Sequence, residues 1–320
     1  MLEAKNKNIP LSISKYNFIF RAEEELFLPP YKGSTLRGGF GITFRRICCV
    51  NKNIGLCDEC GLKEKCAYAY VFETSPSQDV TKLKNLTEIP RPFVIEPPLE
   101  TRTIYKKGEY LEFGLILFGK AIDYLPYFII TFKELGNVGI GKARGRFKLQ
   151  EVDNFYKEKI YDAEDEMIKN IDSKVDLAKI MKAPHHYLSL KFFTPTRIKL
   201  DGDLVVKPEF HVIIRALLHR ISALAYFHCG KELELDYKRL ISEAGQIKIK
   251  ESEINWVDWE RYSSRQNTRM KLGGFIGEIT YEGNFEPFLP LLLLGQHTHI
   301  GKNCTFGLGK YEIKNGVKDE

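Results

Sequence analysis

The residues best suited to chemistry lie near the end of the chain, in the segment GQHTHIGKNCTFGLGK at 295–310. Two histidines, His297 and His299, stand directly before Gly301 and Lys302. An imidazole titrates near neutral pH and can take or give a proton at a phosphodiester, while a nearby lysine stabilises the phosphorane charge. The alternative is a histidine pair that only caps a helix. The segment is therefore a candidate catalytic loop.

The glycines of this segment do not form a nucleotide-binding signature. A dinucleotide fingerprint runs from strand through glycines to helix, whereas the order here is helix, glycines, strand. A helix C-cap and tight turn would explain one or two glycines. It does not explain three glycines interleaved with lysines, a pattern that suits a phosphodiester backbone passing closely over bare amides. We expect phosphate-backbone contacts from Gly301, Lys302, Gly307, Gly309 and Lys310.

Five cysteines between positions 48 and 66 form a second candidate site. Cys57 and Cys60 make a Cys-x2-Cys knuckle, and Cys66 with Cys49 or Cys48 can complete a tetrahedral zinc site. Iron–sulfur ligation and buried free thiols are the alternatives. We expect structural zinc on Cys49, Cys57, Cys60 and Cys66, and no cofactor for catalysis, because no histidine or carboxylate marks an open coordination position.

The composition indicates a packed, mildly basic protein. Apolar residues make up 43% of the chain, charged residues 28%, and the net charge is +6. This balance is compatible with a nucleic-acid partner without requiring one. No run of eighteen apolar residues and no secretory h-region occur, so we expect a cytoplasmic protein with no membrane partner.

Arginines and aromatic residues elsewhere in the chain are further candidates for RNA binding. The segment WVDWERYSSRQ (256–266) combines two tryptophans, a tyrosine and two arginines, which can stack unpaired bases and pair phosphates. Its tryptophans are equally well explained as core residues, so Arg261 and Arg265 are the stronger RNA-binding candidates. We add Arg37, Lys142 and Arg144 to them. Further histidines, His211, His219 and His228, fall on one long helical pattern and are interpreted as surface or interface residues.

The order of elements indicates a duplicated chain. Each half shows strand, helix, two strands, helix and strand, which is the ferredoxin-like order. The two glycine turns, at 139–142 and 307–310, lie 168 residues apart between the second helix and the last strand of their halves. We expect an α+β protein of two tandem ferredoxin-like (RRM-like, βαββαβ) domains with antiparallel sheets. The predicted boundaries are 1–155 for the first domain, with its cysteine-rich insertion, 156–183 for a charged linker and 184–320 for the second domain.

Several motifs resemble those of a known family over nearly the whole chain. They are LPPYKGSTLRGGF (28–40), CDECGLKEKCAYAYVFE (57–73), VGIGKARGRF (138–147), RYSSRQ (261–266) and HIGKNCTFGLGKYEI (299–313). Together with tandem ferredoxin-like halves, they resemble the CRISPR precursor-RNA processing endoribonuclease of the RAMP superfamily. The resemblance implies metal-independent cleavage within the CRISPR repeat: the 2′-hydroxyl attacks the adjacent phosphate and leaves a 2′,3′-cyclic phosphate and a 5′-hydroxyl.

One departure from this family concerns the general base. Many relatives carry a histidine on the first helix of the N-terminal domain, and this sequence has none there. We therefore expect His299 to be the base, with His297 as its substitute and Lys302 as electrostatic partner; Tyr31 and His211 are further alternatives. If none of these acts, the protein is a non-catalytic RAMP subunit that binds guide RNA beside other CRISPR-associated proteins. A zinc-containing RNA binder outside any CRISPR system is a third interpretation.

Overall fold

The computed structural model describes residues 9–51, 55, 57–74, 89–176, 186–263 and 268–315. The N-terminal half contains β1 (Ile13–Ala22), β2 (Leu26–Phe27), α1 (Gly33–Cys48), β3 (Phe93–Glu96), β4 (Ile104–Tyr105), β5 (Tyr110–Phe118), α2 (Leu125–Val138), β6 (Phe147–Asn154) and β7 (Lys159–Asp162). The C-terminal half contains β8 (Tyr187–Thr196), β9 (Lys199–Leu200), β10 (Asp203–Leu204), α3 (Phe210–Cys229), α4 (Tyr237–Ala244), β11 (Lys248–Val257), β12 (Glu260–Ser263), β13 (Thr268–Lys271), β14 (Gly274–Glu282), α5 (Leu289–Thr298) and β15 (Tyr311–Asn315).

The main sheets of the two halves share one strand order. The N-terminal sheet runs β3-β5-β1-β6-β7 and the C-terminal sheet runs β11-β14-β8-β15, with antiparallel pairing throughout. Counting only the strands of each βαββαβ unit, both orders are 2-3-1-4, the ferredoxin-like arrangement. The predicted fold of two tandem ferredoxin-like domains is confirmed.

Alternation along the strands creates the N-terminal core. Phe18 and Phe20 of β1 point to one side of the sheet and are fully buried. They meet the aromatic face of the two helices, where the rings of Phe40 in α1 and Phe128 in α2 stack 4.7 Å apart. Every second residue of the strand and about every 3.6th residue of each helix is buried. The buried side chains of these elements therefore meet in one aromatic cluster.

The other face of the N-terminal sheet is buried by the second domain. Val94, Ile116 and Phe118 alternate with the aromatic cluster and belong to the core that contains α3. This helix is long and apolar enough to cross a membrane, but 56% of its apolar window is buried inside the protein. It is therefore a core helix that joins the two domains.

The ordered N-terminal domain extends into the predicted linker. β7 pairs with β6, and Ser14 of β1 forms a bridge with Lys174. The boundary at residue 155 is therefore too early, because segment 156–176 packs along the edge of the first sheet. Residues 177–183 of the predicted linker lie outside the described residues.

Candidate nucleic-acid interface

The glycines of the C-terminal loop allow the backbone to pack closely against protein. Gly301, Gly307 and Gly309 have φ of +85°, +83° and +73°. A Cβ on Gly307 would lie 2.3 Å from Pro97 Cδ, and one on Gly309 would lie 1.9 Å from Ile300 O. Gly307 and Gly309 are buried. Their predicted contact with RNA is therefore wrong: these glycines serve the turn and its docking.

The docking partner of this loop is the start of α1. The Tyr31 hydroxyl donates to Phe306 O at 2.8 Å, and Arg37 Nε donates to Thr305 Oγ1 at 2.9 Å. The Arg37 guanidinium also lies between the rings of Phe72 and Phe306, 4.5 Å and 4.4 Å from their centroids. Such cation–π contacts hold a guanidinium in place. Arg37 therefore fastens the C-terminal loop to the N-terminal domain.

Aromatic residues near this junction are packed into it. Trp259 meets the Tyr31 ring edge-on at 4.8 Å and packs with Leu272 and Leu308. Burial raises the pKa of Tyr31 well above its ordinary value, and the charge of Glu96 adds to the effect. A tyrosine whose hydroxyl donates to a carbonyl and resists ionisation is a poor base. This position argues against the alternative role of Tyr31 in catalysis.

His299 lies in a buried polar cluster behind the loop. Its side chain is 0% exposed, with Nδ1 3.0 Å from Leu308 O and Nε2 3.2 Å from Glu96 Oε1. Burial lowers the pKa of His299 despite the carboxylate. An imidazole enclosed on both sides does not reach an RNA phosphate. The prediction that His299 is the general base is therefore corrected: it positions the loop.

Glu96 is the centre of the same cluster. Lys15 Nζ and Lys310 Nζ lie 2.6 Å and 2.9 Å from its carboxylate. Burial opposes ionisation, but the His299 hydrogen bond and the two lysines hold the pKa of Glu96 well below its usual range. Lys310 is thus engaged by a carboxylate from the first domain, in place of the predicted RNA contact.

His297 is buried close to this cluster. It is 9% exposed, its ring meets the edge of Phe155 at 5.9 Å, and burial lowers its pKa to about 4. Its Nδ1 has no hydrogen-bond partner in the described part of the chain. The prediction of His297 as a substitute base is corrected for the same reason as that of His299.

A cleft of about 480 Å³ opens between the two domains on the surface of the loop. Its walls come from α1, the segment before β3, the end of β8, β9, α3 and the start of the loop. Seven cationic side chains line it, and within the described residues no carboxylate does: Arg37, Arg91, Arg197, Lys199, Arg215, Arg220 and Lys302, together with His219. A low-dielectric groove lined by one sign of charge attracts a polyanion.

Three predicted residues, Gly301, Lys302 and Arg37, meet in this cleft. Lys302 is exposed, and its backbone N–H donates to Arg197 O at 2.9 Å, which ties the loop to the end of β8. Lys142 and Arg144 are exposed on the other glycine turn and do not line the cleft.

The predicted pair on the 256–266 segment is only partly described. The backbone of Arg261 lies in β12, paired with Met270 of β13. Its side chain, and the whole of Arg265, fall outside the described residues.

Sequence reasoning missed the arginines of α3 and of the turn after β8. Arg215, His219 and Arg220 interrupt an otherwise apolar helix, and Arg215 and His219 are four residues apart, on one exposed side. This spacing was the available signal. Only the position of α3 under the first sheet shows that this side meets Lys302 and Arg37.

The cysteines do not assemble the predicted zinc site. All are free thiols, and within the described residues no three histidine, cysteine or acidic side chains group as metal ligands. Cys49 Sγ donates to Asn51 O at 3.3 Å. Burial raises the pKa of Cys57, and that of Cys48 to about 11. The predicted ligands Cys60 and Cys66 are half-buried beside them.

Comparisons with family models, known proteins and solved structures show what this chain is similar to. Residues 11–173 match the N-terminal domain model AF_1859_N, and residues 190–311 match that of the CRISPR-associated endoribonuclease Cas6. An uncharacterized protein of Archaeoglobus fulgidus is 24% identical over 302 residues, covering 90% of this chain and 93% of its own. A solved Cas6 (TTHB231) product complex has a TM-score of 0.58 at 14% identity, over 94% of this chain and 100% of that chain. Thermus thermophilus Cas6 (TTHB231) has a TM-score of 0.54 at 13% identity, over 95% of this chain and 99% of that chain.

The fold of two tandem ferredoxin-like domains is similar to that of the solved Cas6 structures. The chain belongs to the family of the AF_1859_N domain, whose match covers half of it. Its second half matches the model of the CRISPR-associated endoribonuclease Cas6, and its fold is similar to that of a solved Cas6, which confirms the resemblance inferred from its motifs.

Proposed function

We propose that this protein matures CRISPR RNA by cutting the precursor within its repeats, without a metal ion. The 2′-hydroxyl attacks the adjacent phosphate and leaves a 2′,3′-cyclic phosphate and a 5′-hydroxyl. The observation that carries this proposal is the interdomain cleft, in which seven cations face one another. Cations fixed around a phosphodiester stabilise the charge of a pentacovalent phosphorane. The family-level role in CRISPR RNA processing agrees with this chemistry.

The two sheet faces suit RNA less well than the cleft does. An RRM binds RNA on the sheet face away from its helices. In the first domain that face is covered by α3. In the second domain, Glu253, Glu278, Lys191 and Glu312 lie side by side across the four strands, on the face opposite the buried Leu190 and Phe192. Lys314 of β15 pairs with Glu312 at 3.3 Å on this face, so its charge is mixed. The cleft, whose charged lining in the described residues is entirely cationic, suits phosphates better.

Cleavage can be tested with end-labelled repeat RNA and saturating protein in EDTA. We expect one specific cut, with a cyclic phosphate that blocks ligation of the upstream fragment. A matched RNA with a 2′-deoxy nucleotide at the cut should bind equally and stay intact, because the attacking hydroxyl is missing. Intact all-ribose RNA would contradict the proposal.

A second candidate function is guide-RNA binding without cleavage. The burial of both histidines predicted as bases, His297 and His299, favours it. A related solved structure is a partial Cas6-RT-Cas1–Cas2 complex, with a TM-score of 0.55 and 14% identity over 97% of this chain and 47% of that chain. Partner proteins of a CRISPR complex are thus a second class of ligand to test. Tight, salt-sensitive binding of uncut repeat RNA would support this alternative.

Replacing Arg215 with alanine should weaken RNA binding in a salt-dependent way. Each phosphate contact that is lost removes about one released counterion, so the slope of log Kd against log salt should fall by about one. Arg239→Ala is the matched control, because Arg239 lies on α4 and pairs with Glu243 at 2.6 Å. Fluorescence anisotropy from 50 to 300 mM salt measures both. Equal slopes for the two variants would argue against the cleft as the RNA site.

A further inference from the structure

The described part of the chain contains six histidines, and five of them are engaged away from the cleft. His297 and His299 are buried behind the loop. His228 is buried between the domains, with Nε2 2.7 Å from Pro90 O. The other two pair with glutamates: His186 with Glu282 at 3.0 Å and His211 with Glu209 at 3.3 Å.

The sixth, His219, opens into the cleft. It lies one helical turn after Arg215 and directly before Arg220, on the exposed side of α3. Arg220 Nε donates to Thr298 O at 2.6 Å and so connects α3 to the end of α5, where the loop begins. Because buried neighbours such as Leu217 hold the helix in the core, the backbone that carries His219 is rigid.

We propose that His219 is the general base of the RNA cleavage, a role that rests on the proposed function. Its imidazole takes the proton of the 2′-hydroxyl as the oxygen attacks phosphorus. The P–O5′ bond breaks, and the leaving O5′ receives a proton from the Lys302 ammonium. Atoms and charges balance without water, a metal or a redox partner. The histidine missing from α1 is thus replaced by one on α3, another wall of the cleft.

The charges around His219 suit this role. Desolvation at the cleft wall, and secondarily Arg220, lower the pKa of His219, so the imidazole is neutral and can accept a proton at pH 7. The other charged groups that line the cleft are all cationic in the described residues: Arg37, Arg91, Arg197, Lys199, Arg215 and Lys302. A bound phosphate offsets their field. We expect kcat/KM to fall at acid pH as His219 takes up its proton in the free enzyme.

The test compares His219→Ala with wild type on labelled repeat RNA in EDTA. We expect cleavage to slow by about a hundredfold or more, the usual contribution of a general base. RNA affinity should stay within about threefold, because the cations that bind phosphates remain. The acid limb of the pH–rate profile should vanish, and added imidazole should restore part of the rate. His211→Ala, eight residues earlier on the same helix and outside the cleft, is the matched control and should cut normally.

The possible outcomes separate the two proposals. Normal cutting by His219→Ala would overturn the base assignment and leave the endoribonuclease function standing. Parallel losses of binding and cutting would make His219 a phosphate contact and would also overturn it. Intact RNA with wild-type protein would overturn the function and the base together.

Discussion

Gly307→Ala is expected to lower the free energy of unfolding by about 3 kcal/mol, through a left-handed backbone and overpacking. The φ of Gly307 is +83°, and an added Cβ would lie 2.3 Å from Pro97 Cδ and 2.8 Å from Ile95 O. Both neighbours belong to the first domain, and one of them is backbone. The loop must therefore move away from β3, and RNA affinity should fall as Lys302 leaves the cleft.

A second glycine provides the control for this change. Gly230 follows α3 with φ of +64°, and a Cβ there would meet no atom within 4 Å. Gly230→Ala thus adds the left-handed strain alone, about 1 kcal/mol. Urea unfolding of the two variants isolates the cost of the domain contact. Unchanged stability of Gly307→Ala, combined with weaker RNA binding, would restore the direct RNA contact expected from the sequence.

Glu96→Gln is expected to destabilise the protein by about 3 kcal/mol, the lower end for breaking a buried ion pair. The lower end applies because Lys15 and Lys310, at 29% and 21% exposure, can turn toward water once the carboxylate is gone. Glu112→Gln is the matched control: Glu112 lines one surface groove together with Glu96, but it is exposed and accepts from Asn17 Nδ2 at 3.3 Å. It should cost about 0.5 kcal/mol or less. Equal losses for the two variants would contradict a central role for Glu96.

The pH dependence of this difference has a definite sign. The folded-state pKa of Glu96 is well below its unfolded value of about 4.3, so its contribution is complete above that pH. It is lost as pH falls through the folded-state pKa. Burial also lowers the pKa of His299, so both variants lose stability below about pH 6.5 as the unfolded chain binds the proton more readily. Stability curves of wild type and Glu96→Gln should therefore converge only in strong acid.

Much of the fold was readable from local patterns. The sequence is strand-like at 93–96 and 110–118, and these segments coincide with β3 and β5. The apolar pattern that begins at Leu125 is typical of a helix, and α2 runs from there to Val138, because Gly139 then adopts φ of +81°. Helix starts were less certain. Ser34 is typical of an N-cap, yet α1 already begins at Gly33 after Lys32, and no side chain caps it. A proline is typical of a first helical turn, yet Pro208 precedes α3.

The candidate site was harder to predict from the sequence than the fold, since its residues are far apart in the chain. Lys302 and Arg37 were found from motifs, but their facing wall on α3 carries no motif beyond the spacing of Arg215 and His219. The interpretation of the loop histidines was wrong for the same reason, because their partners are distant in the chain. A histidine beside glycines and a lysine looks catalytic in sequence, and nothing local to the loop shows that Glu96, 203 residues earlier, encloses it.

The sequence alone determined the duplicated βαββαβ order, the position of both glycine turns and the family, because these depend on periodicity and on residues close together in the chain. The tertiary structure decided which side of the loop faces the cleft. Docking against α1 and β3 buries His299 and Gly307 and pairs Lys310 with Glu96, whereas Lys302 and His219 line the cleft. The physical reason is that accessibility and charge partners belong to the packing of two domains, and no single segment encodes them.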